Sequence, residues 1–593
     1  MSFKFDYLQN KIKELDNRVM KLKLKSALNT VSVTTNCLFD PILIDKLTGY
    51  ETKTRKLNVP SIIWYFCNLC YIIERNCYLI LNDNEKSYFT INPSKYDFRK
   101  LNIKDTYLEK YPNISMIYSQ YNDMIFFISL WIDKNFLIPL SKTIIEGILY
   151  YNTFINERII ESYKYLEIRP KPILEKNYFS LSDYLDISIN ILQFKKVVGG
   201  KLIQGFNNND KYIPDNQKPS FNTQVKSFEI SDIPVTEKLF IKFIEAGGYE
   251  NQSLWTIDGW KWKEEHYIDC PLYWFKKNGK WFKKEFNKEI CINNDINKPV
   301  SHISWYEAMA YCIWVGGRLP FEEEWEYIST NRGTTTYPWG ISKVGMLNSN
   351  IDYCYSHTNN VTNLKSEEGL MGVHDLIGNV HEWCLDSYFP YNGYTPDKLN
   401  STILYNNFDA KKKVLKGGSF GSNSYFTTPQ SRFGSYPEDR LIINGFRVVK
   451  EIVKKNKIPN IKKENEEILS DIIKRELILK ESLEAINLTG ESSDEIESDS
   501  LEEDNSLELE EDNKSLTNNF FDNPLLDFLN KSLLEDINRS KDENIDDFEL
   551  DDELDDELND DELDDELDDE LDDELDDELD DELDDELDDE LDD

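Results

Sequence analysis

The sequence predicts a multidomain protein with an N-terminal α-helical bundle, then an α+β domain with little regular structure, and a disordered acidic tail. Three observations predict this order. Up to about residue 200, apolar residues recur every three or four positions and glycines are few. Ten of the twelve Trp then fall between Trp255 and Trp383. The last 43 residues contain 32 Asp or Glu and neither Lys nor Arg.

The first 200 residues are predicted to form the helical bundle. Periodic apolar segments within Val59–Asn82, Ser115–Asp133 and Phe136–Leu166 predict helices that pack against one another. Pro170 and the pair Gly199-Gly200 interrupt this pattern. We therefore place the boundary of the bundle at residue 200.

Residues 201–453 are predicted to form the α+β domain. Short elements separated by Asn, Asp and Gly suit a mixed fold, and dense aromatics can supply its core. Trp305, Trp325 and Trp383 are expected in that core. Pro320, followed by three Glu, predicts the start of a helix. Gly417-Gly418 predicts positive φ or a close backbone approach.

The remainder divides into a charged linker, 454–550, with a candidate helix at Lys462–Glu484, and the tail, 551–593. The tail repeats Asp-Asp-Glu-Leu ten times. In a helix, leucines four apart would drift about 40° per repeat, so no single apolar face would form. Self-repulsion then predicts an extended, disordered segment. It serves as a solvating tail or, alternatively, docks a basic partner.

Composition excludes several function classes. The net charge is −44, but outside the tail only twelve of these negative charges remain. No dense basic patch predicts binding to nucleic acid or to an anionic membrane. Nine cysteines without close, even spacing indicate a reducing compartment. The charged N-terminus and the lack of a long apolar run predict a cytoplasmic protein without signal peptide or transmembrane segment.

Several separated blocks of the second domain carry a family pattern. Between Val235 and Lys450 they resemble the formylglycine-generating-enzyme-like (sulfatase-modifying factor) domain, in the version found in iron-dependent sulfoxide synthases that make ergothioneine and ovothiol. The resemblance implies a C-type-lectin-related fold preceded by a DinB-like bundle. The blocks are Pro234–Tyr249, Trp255, Asp258–Trp260, Trp262, Pro271–Trp274, Pro299–Ala308, Gly317–Glu326, Leu376–Trp383, Lys416–Phe420 and Gly445–Arg447.

The resemblance also implies three iron-binding histidines in the bundle, and here they are missing. Asn68 stands at the first position, in a context where Trp64 and Glu74 match the family. The other two positions hold Tyr151 and Ile155, and Glu157 alone remains of that motif, while all five histidines lie outside the bundle. Because Fe(II) that activates dioxygen needs several imidazole or carboxylate ligands, we expect no iron.

Two further family sites are altered. Formylglycine-generating relatives use a cysteine pair after the Gly-Gly-Ser motif, but Gly417–Phe426 contains no cysteine. The segment Arg432–Arg440 resembles the substrate-binding segment of the sulfoxide synthases only in part. Tyr436 and Arg440 match it and are our candidates for a pocket wall. Alternatively, Arg440 is a surface ion-pair partner.

Related folds hold structural Ca²⁺ through loop oxygens, and the resemblance implies Asn350 and Glu382 as ligands. In the alternative reading, both residues only cap turns. No other cofactor is expected.

We therefore predict a catalytically inactive relative of the sulfoxide synthases that acts as a binding or scaffold protein for an unknown protein or small-molecule ligand. One alternative is a non-haem iron or other metal-dependent oxidoreductase that forms a C–S bond between a thiol and a histidine derivative. The other is an assembly protein that docks through its acidic tail.

Overall fold

The computed structural model describes residues 2–39, 61–77, 114–135, 139–170, 191–206, 213–292, 297–340, 348–361, 369–396 and 408–452. We call the described residues up to 170 the first lobe and those from 191 onward the second lobe. The predicted linker with its candidate helix, and the acidic tail, lie outside the described residues.

The first lobe is built from helices that pack against one another: α1 (Ser2–Leu38), α2 (Ile62–Cys77), α3 (Ile114–Asn135) and α4 (Pro139–Tyr165). α2 and α4 lie within the segments predicted from apolar periodicity, and α3 covers the predicted Ser115–Asp133 and extends slightly beyond it at both ends. α2 is almost completely buried, including the polar side chains of Asn68, Glu74 and Asn76. In the described part of the chain, no helix has the length and apolar character needed to cross a membrane.

The second lobe contains shorter helices and small sheets. Its helices are α5 (Glu237–Glu245), α6 (Ile257–Glu265), α7 (Trp305–Trp314) and α8 (Glu322–Ser329). α7 begins with a capping box in which Ser304 and Glu307 satisfy each other's backbone amides. α8 begins just after Pro320, as predicted, and the Phe321 amide donates to Glu324 Oε2 at 2.8 Å.

The strands of the second lobe form four small sheets among the described residues. Their orders are β1-β4-β12, β10-β9-β8-β11, β2-β3 and β5-β6-β7, and all pairs are antiparallel except β8 with β11. The strands are β1 (Phe194–Val197), β2 (Gly200–Gln204), β3 (Phe221–Val225), β4 (Phe228–Ser231), β5 (Trp274–Lys277), β6 (Lys280–Glu285), β7 (Lys288–Cys291), β8 (His381–Tyr388), β9 (Asp409–Lys416), β10 (Arg432–Ser435), β11 (Asn444–Gly445) and β12 (Val449–Glu451).

The start of the second lobe differs from the predicted boundary at residue 201. β1 precedes that boundary and pairs with β4 and, through it, with β12. Gly199 lies between β1 and β2, and Gly200 is the first residue of β2, so the pair does not separate two domains. A Cβ on Gly199 would lie 2.3 Å from the Val225 carbonyl oxygen, so the pair marks a close backbone approach inside the lobe.

One apolar core runs from the first lobe into the second. The cluster formed by the helices includes Phe420, Tyr425, Phe426 and Ile443 of the second lobe. Trp305, Trp325 and Trp383 are buried in the cores of the second lobe, which confirms their predicted role. Gly417 and Gly418 have φ of 86° and 75°, also as predicted.

Buried polar contacts also join the first lobe to the second lobe. Lys164 of α4 lies 3.2 Å from Glu285 of β6, and both side chains are buried. Tyr425 donates to Glu146 of α4 at 2.8 Å. Since a buried charge is tolerated only with a partner, each lobe supplies a partner for a buried charged group of the other.

Candidate ligand site between the lobes

A cavity of about 80 Å³ lies between α4 and the second lobe. A water molecule needs only about 10–15 Å³ on this measure, so the space suits a group of several atoms. The α4 wall consists of Tyr150, Thr153, Phe154, Glu157 and Arg158, whose spacing places them on one side of the helix. The facing wall includes His381, Gly418, Ser422, Asn423, Phe426 and Phe433.

Glu157 is the carboxylate of this cavity, and it is only 6 % exposed. His381 Nε2 lies 2.8 Å from its Oε1. Ser422 donates to the same oxygen at 3.1 Å, and Ser419 also donates to it. Burial pushes the pKa of Glu157 upward, but His381, Arg158 and Ser419 outweigh burial and lower the pKa to about 2. The group is therefore ionised at neutral pH.

Arg158 follows Glu157 on α4 and has its charge matched within the same helix. Its Nη2 donates to Glu161 Oε1 at 2.9 Å. The guanidinium carbon lies 5.5 Å from the ring centroid of Phe154 and 5.1 Å from that of Phe433. These contacts hold the guanidinium between one ring from each lobe.

Two basic side chains of the wall direct their charges away from the cavity. Lys416 Nζ lies 3.5 Å from Glu322 Oε1 and 3.4 Å from Glu326 Oε2. Arg432 donates to Glu322 Oε2 at 3.0 Å. Burial raises the pKa of Glu326 to about 7, because Lys416 and a bond from the Gly205 amide offset only part of the desolvation.

The resemblance predicts iron-ligand positions at Asn68, Tyr151 and Ile155, and their side chains in the structure do not form a metal site. Tyr151 donates to Asn68 Oδ1 at 2.5 Å, and both are buried. Ile155, one turn further along α4, is fully buried and presents only hydrocarbon. Fe(II) needs imidazole or carboxylate ligands. Here the three positions offer an amide oxygen that already accepts a hydrogen bond, a phenol and an alkyl group, and these do not fit Fe(II).

The described residues also offer no cluster of three or more His, Cys, Asp and Glu side chains that could hold another metal ion.

Tyr436 and Arg440, the predicted pocket wall, are not among the residues that line this cavity. Tyr436 is 40 % exposed and donates to Asp409 Oδ2 at 2.9 Å. Arg440 is buried, with its Nε 3.2 Å from Glu307 Oε2, and it donates to the Cys270 carbonyl. Arg440 is thus not a surface ion-pair partner either, because Glu307 pairs with it in the interior.

Glu382 and Asn350, the predicted calcium ligands, are both buried. The Glu382 carboxylate accepts from Arg447 Nε and Nη2 at 2.6 Å each, and from Trp325 Nε1 at 2.9 Å. A carboxylate held by a guanidinium does not fit as a Ca²⁺ ligand. Asn350 Oδ1 is a buried oxygen without a hydrogen-bond partner among the described residues. Calcium binding stays a prediction, with Asn350 as the side chain that fits it.

Sequence reasoning missed His381, Ser419 and Ser422 as partners of Glu157. His381 lies outside the predicted bundle, and the serines belong to a segment that is notable in the sequence only for its lack of cysteine. One signal could have identified them. A carboxylate predicted on a buried helix face, as Glu157 is, requires donors from elsewhere in the chain.

Residues 192–452 match the family model described as "Sulfatase-modifying factor enzyme 1-like domain". The hercynine oxygenase of Mycolicibacterium smegmatis is 26 % identical over 264 residues, 43 % of this chain and 60 % of that protein. The hercynine oxygenase of Mycobacterium tuberculosis is 28 % identical over 242 residues, 40 % of this chain and 56 % of that protein. This chain thus spans less than two thirds of these two relatives.

The inactive C-alpha-formylglycine-generating enzyme 2 of Bos taurus is 26 % identical over 302 residues, 44 % of this chain and 87 % of that protein. These similarities confirm the formylglycine-generating-enzyme-like domain predicted from the blocks between Val235 and Lys450, and its relation to the sulfoxide synthases.

Proposed function

We propose, from the premise that residues 192–452 form a sulfatase-modifying-factor-like domain, that this protein is a catalytically inactive relative of the sulfoxide synthases. Both lobes serve as a binding scaffold, and the cavity between them is the ligand site. We further infer that the first lobe is a DinB-like bundle and that the protein acts in the cytoplasm.

The observation that carries the proposal is the contact between Tyr151 and Asn68. At two of the three positions where the family places iron-binding imidazoles, these side chains satisfy each other in a buried hydrogen bond of 2.5 Å. The third position, Ile155, has no donor atom. The retained Glu157 bonds His381 and two serines instead. The surface between the lobes is thus kept as packed structure, while the groups that would hold Fe(II) are replaced.

Elemental analysis of the purified full chain tests this proposal. We expect well under one iron per chain after expression in iron-supplemented medium. We also expect no oxygen-dependent consumption of a thiol together with a histidine derivative. About one iron per chain with such turnover would establish the alternative, an oxidoreductase that forms a C–S bond. A hercynine oxygenase purified in parallel is the positive control for loading and assay.

The tail supports a second candidate function through its charge alone. A segment with 32 acids and no basic residue suits docking to a basic partner in an assembly. Deleting residues 551–593 should then abolish capture of a basic protein such as a lysine-rich polypeptide, and leave the melting temperature nearly unchanged. Retained capture by the shortened chain, at matched ionic strength, would exclude this role.

A further inference from the structure

We propose that the cavity between the lobes binds a small organic ammonium ion that carries at least one N–H bond, and that Glu157 Oε2 accepts this bond. The inference rests on the proposed ligand-binding role of the same cavity and names the chemical class of the ligand.

The first argument is the uneven use of the Glu157 carboxylate. The contacts from His381, Ser419 and Ser422 all converge on Oε1. No hydrogen bond from another described residue reaches Oε2. A carboxylate has about four acceptor sites. Oε2 is not among the fully buried polar atoms that lack a hydrogen-bond partner, so it is open to the cavity and can accept from a donor that arrives there.

The second argument is the aromatic lining around this carboxylate. Tyr150 and Phe426 meet edge to face with ring centroids 5.4 Å apart. Phe154 and Phe433 also line the cavity but already hold the Arg158 guanidinium, so Tyr150 and Phe426 are the rings that a ligand can contact. Aromatic faces attract cations, and most strongly in a site shielded from water. A carboxylate among aromatic rings therefore favours an organic cation over a neutral or anionic ligand of equal size.

The third argument is the disposition of the neighbouring positive charges. Arg158 is paired with Glu161, while Lys416 and Arg432 are paired with Glu322 behind the wall. Lys416 and Arg432 therefore lie against acids of the wall, whereas Arg158 stays close to Glu157 and lowers its pKa. An anion in the cavity would still lie close to the ionised Glu157, which repels it.

Calorimetric titration of the full chain at physiological ionic strength tests the ligand class. The probes are propylammonium, with 1-propanol and propionate as neutral and anionic controls of similar size, and tetramethylammonium as a cation without N–H. We expect propylammonium to bind at least about ten-fold more tightly than each of the other three probes. Equal or tighter binding of propanol, propionate or tetramethylammonium would overturn the proposal.

The acidic tail also attracts cations, so the decisive comparison uses variants that keep it. Glu157→Gln should weaken propylammonium binding at least ten-fold, since the charge is lost and the shape is kept. Phe426→Leu removes a ring of the cavity wall, leaves the hydrogen bonds of Glu157 in place and should weaken binding several-fold. If Glu157→Gln fails to fold by circular dichroism, the binding affinity of Phe426→Leu decides. Unchanged affinity in a folded variant would contradict the proposal.

The outcomes separate this inference from the function on which it rests. Tight binding of propionate in an iron-free, inactive protein would refute the ammonium ligand and leave the inactive scaffold standing. Iron loading with turnover would refute the scaffold, whatever the calorimetry shows.

Discussion

Glu157 of α4 and His381 of β8 are 224 positions apart in the sequence, and their side chains meet at 2.8 Å between the two lobes. This contact joins a carboxylate of the first lobe to one of the five histidines in the chain. It links the first lobe to the second lobe at the wall of the proposed ligand site.

Replacing His381 tests the importance of this contact for stability. His381→Ala removes one partner of a buried charged group, and such losses cost about 3–5 kcal/mol of unfolding free energy. Ser419 and Ser422 still donate to Glu157, so we expect the lower end of that range. Urea unfolding followed by tryptophan fluorescence measures the change. His266→Ala, on an exposed residue, is the matched control and should change stability by less than about 0.5 kcal/mol. Equal effects of the two variants would contradict the prediction.

The pH dependence of stability should reveal the ionised Glu157. Its pKa falls from an ordinary 4.5 to about 2 in the folded protein. The folded state therefore binds fewer protons than the unfolded state in this interval. The stabilisation, about 3 kcal/mol by linkage, is complete above pH 4.5 and is lost as the pH falls through 2. The difference in unfolding free energy between the wild type and Glu157→Gln should shrink over this range. A constant difference would show that the pKa of Glu157 is not lowered.

Glu326 should give the free energy of unfolding the opposite pH dependence, between pH 4.5 and neutral pH. Its pKa is raised to about 7 by burial, so the folded protein keeps a proton that the unfolded chain releases near 4.5. Stability should therefore fall as the pH rises from 4.5 to 7, by up to about 3 kcal/mol from this group. Glu326→Gln should remove this slope, as measured by urea midpoints at pH 5 and 7.5. Glu245→Gln, on an exposed residue of α5, should keep the wild-type slope.

The pair formed by Arg447 and Glu382 should be a major stabilising contact of the second lobe. Both side chains are buried, and the guanidinium donates twice to the carboxylate at 2.6 Å. Arg447→Ala leaves a buried charge without its partner and should cost about 3–5 kcal/mol in urea unfolding. Lys277→Ala breaks an exposed pair with Glu289 and should cost less than about 1 kcal/mol. A loss below 1 kcal/mol for Arg447→Ala would mean that Glu382 has another partner, such as a bound cation.

The sequence alone determined the elements whose signals are local. Apolar periodicity located α2, α3 and α4, and Pro320 with its following acids located the start of α8. In each case the signal lies within a few helical turns, where backbone geometry ties spacing to position. The assignment of Asn68, Tyr151 and Ile155 to the family's iron-binding positions stays a prediction, because it rests on the resemblance alone.

Only the tertiary structure decided which side chains became partners. Glu157 forms a hydrogen bond with His381, and Glu382 forms one with Arg447. Arg440 forms an ion pair with Glu307 in the interior. Each of these pairs joins residues 65 or more positions apart. A buried charge requires some partner, but which one it finds depends on how distant segments pack. That packing is a property of the whole folded chain, and for this reason the site could be identified only after the lobes were seen together.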